Sequence, residues 1–301
     1  MPMKPKIVCF GEVLWDVLPT QKIAGGAPMN VAIRLQWLGI DAQIISSIGA
    51  DAAGEELLKI ISSHHVNTEL IQIDTALPTG LVLVALDAQN NASYDIVKPS
   101  AWDNIALLEA NVAATKNADA FVFGSLACRD SSSKNTLFEL LKVAKYKIFD
   151  VNIRPPFYDM QLIRQLMTLA DFVKLNDDEL LEIAKALGSD SEDLEANILF
   201  LAAQTHTNAM CVTKGANGAV LWINNQFYTH AGYQVRVADT IGAGDSFLAG
   251  LISKIIAPNA ADYAAALGFG CAVGAAVAAR SGANPTLHPQ DIHTLQNPET
   301  K

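Results

Sequence analysis

The chain has 301 residues, 50% of them hydrophobic and 17% charged, which is enough to bury a large core and excludes a disordered or coiled-coil protein. Its 31 acidic residues outnumber 21 lysines and arginines, and the resulting charge of −10 repels nucleic acid and anionic membranes at long range while leaving small anions free to bind locally. Cys9, Cys128, Cys211 and Cys271 form no C-x-x-C pair and the histidines no H-E-x-x-H, a pattern that fits a reduced cytoplasmic protein better than a disulfide framework or a zinc site.

The first apolar run, residues 7–10, is too short for a secretory signal and reads as the opening strand, over residues 6–10. Asp16 follows it, either as a solvated loop acid or as a carboxylate that accepts hydrogen bonds from adjacent hydroxyls. Pro28 opens a helix that stops at Gly39, a strand covers residues 43–47, and Asp51 caps a helix running to His64. Residues 81–86 and 92–97, around a polar turn at residues 87–91, form an antiparallel hairpin, read equally well as an edge meander or as a lid over a site.

From there the pattern is regular. Strands are expected at residues 120–123, 147–151, 172–175, 209–213 and 219–223, and helices at residues 131–144, 177–187 and 242–256. Most of these strands are apolar on both faces, as in a mainly parallel sheet sandwiched by helices. The uncharged run over residues 263–279 is rich in Ala and Gly, too weakly apolar for a membrane span, and reads as a packed core helix in which Gly268 and Gly270 serve helix contact. With no repeat and no long linker, residues 1–301 form one domain.

The chemistry-bearing segments stand at expected strand ends and helix starts. Asp239-Thr-Ile-Gly-Ala-Gly-Asp245-Ser-Phe is a Gly-rich turn entering a helix, where converging amides and the helix dipole favour an anion. Asp245 within it is either a favoured first-turn acid or the base that takes a proton from a hydroxyl attacking a phosphoryl group held by those amides. Gly25-Gly-Ala-Pro-Met-Asn30 also opens a helix; Gly26 admits a close ligand and Asn30 can bond a polyol hydroxyl, the alternative being a plain turn. Asp150-Val-Asn-Ile-Arg154 and Lys174-Leu-Asn176-Asp-Asp-Glu179 end strands, where ligands of open α/β sheets bind. Asn176 and Glu179 can hold hydrated magnesium or simply form a capping box. Thr213-Lys-Gly215-Ala-Asn-Gly218 is a turn between strands that can touch phosphates. P-loop, nucleophile-elbow and protein-kinase signatures are all missing.

In this order and over nearly the whole chain, Phe10-Gly-Glu12, GGAPMNVA, DVNIR, KLNDDE, VTKGANG and DTIGAGDSF resemble the ribokinase-like (PfkB) sugar kinases, most of all the fructokinases. The resemblance implies a three-layer αβα ribokinase-like, Rossmann-like α/β fold with a mainly parallel sheet and a small β-sheet lid formed by about residues 12–25 and 79–101. It implies ATP-dependent phosphorylation of a sugar hydroxyl, with Asp245 as base and Gly242, Ala243 and Gly244 as anion hole. Asp16, Gly26, Asn30, Arg154 and Lys98 fall on the substrate side; Lys174, Asn176, Glu179, Thr213, Gly215, Gly218 and Thr240 fall on the nucleotide side. Asn176 and Glu179 match the motif that organises Mg2+ through water, and Asp239 lies near a monovalent-cation site for K+. The partners implied are the sugar and ATP, without nucleic acid or membrane, in a homodimer joined through the lid. Fructose is the first substrate expected. The segment Lys98-Pro-Ser-Ala-Trp102 departs from a common fructokinase pattern, and keeps ribose, 2-keto-3-deoxygluconate and nucleosides open, with Trp102 as lid core or stacking surface.

Overall fold

Alternation along each strand builds the two halves of the core. In β1 (Lys6–Phe10), Ile7 and Cys9 point to one face of the sheet while Val8 and Phe10 point to the other, and all four are buried. The same division recurs in β8 (Ala120–Gly124), β9 (Lys147–Asp150), β10 (Phe172–Asn176) and β11 (Ala209–Thr213), so the sheet has an apolar surface on each side. The computed structural model describes residues 4–86, 92–256 and 262–297, and the expected turn at residues 87–91 lies outside them.

Among the described residues, nine strands form the large sheet in the order β13-β12-β11-β10-β9-β8-β1-β4-β5. It is parallel from β11 to β5, where β4 is Asp41–Gly49 and β5 Ile71–Asp74; β12 (Ala219–Ile223) and β13 (Gln226–His230) pair antiparallel at one edge. One face packs on α1 (Ala27–Trp37), α2 (Ala52–Ser63), α8 (Ala243–Ile255) and α9 (Tyr263–Ala278). The other packs on α4 (Ser131–Leu141), α5 (Met160–Leu169), α6 (Asp177–Ala186) and α7 (Leu194–Thr205), with α3 (Glu109–Asn117) beside them. A last helix, α10 (Pro289–Gln296), packs on α9. The Ala-Gly helix is indeed a packing helix: Gly270 and Gly250 bring α9 and α8 into backbone contact. Among the described residues no helix is long and apolar enough to cross a membrane.

Strand order reverses between β8 and β1, which opens a crevice at the carboxyl ends of the strands. Beside it stands a second sheet of four strands, β3-β2-β6-β7, built from β2 (Leu14–Val17), β3 (Lys22–Gly25), β6 (Gly80–Leu86) and β7 (Ala92–Ile96). The expected hairpin is there as β6 and β7. Asp16 corrects the loop reading: it lies in β2, because Leu14 and Asp16 alternate with Trp15 and Val17 across a strand whose one face packs on the main core. Trp102 is fully buried with Leu14, Val82, Ile96 and Leu126, so it is core at the root of the small sheet and offers no stacking surface. All four cysteines are buried and unpaired, and burial holds the thiols of Cys128 and Cys271 up at about 12.

Candidate active site

The head of α8 is the centre of the site. Gly242 is its N-cap in a left-handed conformation, φ 72°, and its backbone packs so closely on Ala283 that a Cβ would strike the Ala283 carbonyl. Of the three amides expected to form an anion hole, one is engaged within the turn. The Ala243 N–H donates to the Thr240 carbonyl at 3.2 Å to close the turn, which leaves the N–H groups of Gly242 and Gly244 for an anion. Thr240 itself is exposed and contributes that carbonyl.

A cation completes this cradle. The Lys174 ammonium lies 3.5 Å from where a Cβ on Gly244 would stand and is paired with Asp150 at 2.9 Å, the two residues being in register on β10 and β9. Burial alone would lower the Lys174 ammonium, but the surrounding charges of Asp150, Glu179 and Asp245 outweigh it and raise it, so the group stays charged. Asp150 keeps its second oxygen, Oδ2, buried without a partner.

Asp245, one residue past Gly244, is half-buried, and its Oδ2 accepts from Asn30 Nδ2 at 2.8 Å. Asn30 is held in turn by Asn284, whose Nδ2 donates to Asn30 Oδ1 at 2.7 Å. Burial, reinforced by the charge of Asp150, pushes the Asp245 carboxyl up to about 6 against the pull of Asn30, Lys174 and Arg154. The carboxylate is therefore ionised at neutral pH yet basic enough to accept a proton.

Among the residues expected on the acceptor side, Asp16 lies over Gly25, whose missing Cβ makes room for the Asp16 carboxylate. Burial raises Asp16 to about 6, Arg154 opposes this and Asp245 adds to it, so β2, the loop after β9 and α8 meet electrostatically here. Gly26, with φ 112°, caps α1 and leads to Asn30. Arg154 is exposed and carries the positive charge that Glu12, Asp16 and Asp245 all feel. Lys98, expected on the substrate side, has its ammonium at 3.1 Å from the Arg129 carbonyl and 3.2 Å from Asp130.

Most of the residues expected on the nucleotide side follow the carboxyl edge from β10 to the turn before β12. Asn176 and Glu179 form the capping box of α6, with Asn176 Oδ1 accepting from Glu179 N at 2.8 Å and Glu179 Oε2 from Asn176 N at 2.9 Å. Glu179 Oε1 takes the Ile153 N–H at 2.8 Å, so the residue ties α6 to the loop after β9. Thr213 is in register with Asn176 on β11, and Gly215 and Gly218 bound the tight turn into β12. Asp239 uses both oxygens on amides, Ile241 N and Gly282 N, each at 3.0 Å, and so joins the turn before α8 to the segment after α9.

Sequence reasoning passed over Asp150, Glu12 and Asn284 as individual site residues. Glu12 stood inside a quoted motif and Asp150 at a strand end, whereas Asn284 gives no local signal, since its partner Asn30 is 254 positions away.

Residues 3–290 match the pfkB family carbohydrate kinase profile. The chain is 30% identical over 310 residues to fructokinase-2 of Solanum lycopersicum, covering 93% of this chain and 92% of that protein. It is 30% identical over 280 residues to a fructokinase of Klebsiella pneumoniae, with 88% and 89% covered. Its fold superposes on the ATP-bound fructokinase of Xylella fastidiosa with a TM-score of 0.86 at 26% identity, covering 99% of this chain and all of that one. The chain belongs to the pfkB family of carbohydrate kinases. It has the ribokinase-like α/β fold and is a sugar kinase, a phosphotransferase with an alcohol group as acceptor.

Proposed function

We propose that this kinase transfers the γ-phosphoryl group of ATP to D-fructose to give fructose 6-phosphate, with Asp245 as the base. The observation that carries the reading is Asp245 itself: a carboxylate raised to about 6, one residue beyond the open amide of Gly244, and steadied by Asn30. The fructokinase relatives, at about 30% identity, favour fructose over other sugars. Asp16, Gly26 and Asn30 hold the sugar, with Arg154 reaching over it from the loop after β9.

Phosphoryl transfer passes through a loose transition state and depends on positioning and charge stabilisation more than on covalent chemistry. Asp245 orients the acceptor hydroxyl and takes its proton as the bond to phosphorus forms. The Gly242 and Gly244 amides and the Lys174 ammonium receive the charge that develops on the phosphoryl oxygens. Thr213, Gly215, Gly218 and Thr240 line the nucleotide side. The small sheet acts as a lid that keeps water from competing with the sugar, and its outer strands form the dimer contact.

Asn176 and Glu179 would hold magnesium through its water shell, and the ion would supply neutralisation of phosphate charge. The donor set fits a hydrated ion: Glu179 has both oxygens already bonded to amides, which leaves its remaining lone pairs, with Asn176, for the ion's water shell. Asp239 is likewise engaged by amides, and K+ would be held in the segment that it joins to the chain after α9, where it would supply further positive charge.

ADP release in a coupled assay with ATP and magnesium, across fructose, ribose, 2-keto-3-deoxygluconate and adenosine, tests the reading. Fructose is expected to be turned over fastest, and Asp245→Ala to abolish that turnover. Preference for another acceptor overturns the substrate; undiminished turnover by the variant overturns the base.

A further inference from the structure

Helix α1 begins without a cap of its own. Its N-cap is Gly26, no side chain bonds its first amides from within the helix start, and its first turn contains no acid. The leading N–H groups of a helix lack intrahelical partners and carry partial positive charge, so an acceptor there stabilises the helix start.

That acceptor comes from another element. Glu12, just after β1, is only 3% exposed, and its Oε1 accepts from Ala27 N at 3.2 Å. Its main chain closes on the same turn, since a Cβ on Gly26 would strike the Glu12 carbonyl. Its other oxygen, Oε2, is buried with no partner. Arg154 from the loop after β9, Asp245 from α8 and Cys128 from the turn after β8 face it. Burial prevails over the nearby amides and Arg154 and raises the carboxyl to about 7. One turn further along α1 is Asn30, whose N–H bonds the Gly26 carbonyl at 2.9 Å and whose side chain bonds Asp245. A chain of contacts therefore runs from β1 through the start of α1 to α8.

We propose that Glu12 is the positioning residue of the acceptor side: by capping α1 from across the fold it holds Asn30 against Asp245. The proposal rests on the reading of Asp245 as base and Asn30 as a sugar contact. It gives Glu12 no contact with either substrate.

Glu12→Ala removes the cap and Glu12→Gln keeps an acceptor oxygen without the charge, so the difference between them isolates the cap. Fructose KM is expected to rise about tenfold in the Ala variant, with ATP KM within about twofold of the parent, and to return to within about threefold in the Gln variant. Asp245, followed by carbon-13 NMR titration without substrate, is expected to titrate higher in the Ala than in the Gln variant, because a loosened Asn30 no longer favours its charged form. Glu12→Asp, one methylene short of Ala27, serves the same comparison should the Ala variant fail to fold. Identical Asp245 titration in the capped and uncapped variants overturns the proposal, as does a parallel rise of both KM values. A parent enzyme that ignores fructose overturns the substrate reading alone, for the titration is independent of turnover.

Discussion

Among the described residues, one buried charge cluster lies at the root of the small sheet and another at the head of α8, and they are built on opposite terms. At the root, the Arg129 and Asp103 side chains are 0% and 3% exposed. Nε and Nη2 of Arg129 donate to the two Asp103 oxygens at 2.6 and 2.8 Å, Nη1 and Nη2 reach the carbonyls of Ile96 and Val97, and the guanidinium lies 3.8 Å from the centre of the Trp102 ring. Asp103 also takes the Ser100 N–H. At the head of α8, by contrast, Asp150, Glu179 and Asp245 surround the single ammonium of Lys174, and Asp150 Oδ2 has no partner. The first cluster is closed and fastens the end of β7 to the body of the protein. The second is incomplete within the chain, and unmet charge of this kind is what substrates can complete at a cost in stability.

The largest test of the contrast is functional. Asp245→Ala is expected to lower fructose turnover by roughly 10²- to 10⁴-fold while substrate binding and melting temperature hold, which steady-state kinetics and calorimetry read together. Next comes the closed cluster, where Arg129→Met strands a buried carboxylate and is expected to cost about 3–5 kcal/mol in denaturant unfolding. Adding Asp103→Leu should recover most of that loss, and failure to recover would show that the carbonyl bonds to β7 matter more than the ion pair. Smallest is a gain. Asp245 holds its proton to about 6 in the folded chain against an ordinary 3.8, so its contribution to stability falls as pH rises through that window. Asp245→Asn is therefore expected to be more stable than the parent at pH 8, by on the order of 1 kcal/mol, with the advantage gone near pH 4.

Much of this was legible in the sequence because it is local. Strands apolar on both faces announced a covered parallel sheet, and Asp51 caps α2 as read, with Gly54 N donating to its Oδ1 at 2.8 Å. The glycine turn before Asp245 announced a helix start, and α8 begins there with Gly242 as its N-cap. Other elements carry weaker patterns: β13, Gln-Phe-Tyr-Thr-His at the sheet edge, has no clean alternation, and α5 and α7 lack the Pro that opens α1. The cradle's cation was legible as a residue but not in its pairing, since Lys174 meets Asp150 only once β9 and β10 are side by side. The contact of Lys98 with Asp130 was likewise not legible, since the two are distant in sequence.

The buried cysteines have a practical consequence. The thiolate is the form that reacts, and thiols held as high as those of Cys128 and Cys271 supply almost none of it at neutral pH, while Cys9 and Cys211 are pushed still higher. The native protein is thus close to inert toward alkylating dyes. A single cysteine placed at Leu83 on the small sheet, a position 44% exposed, would be the dominant site of labelling, and its fluorescence would report what that sheet does when sugar and nucleotide arrive.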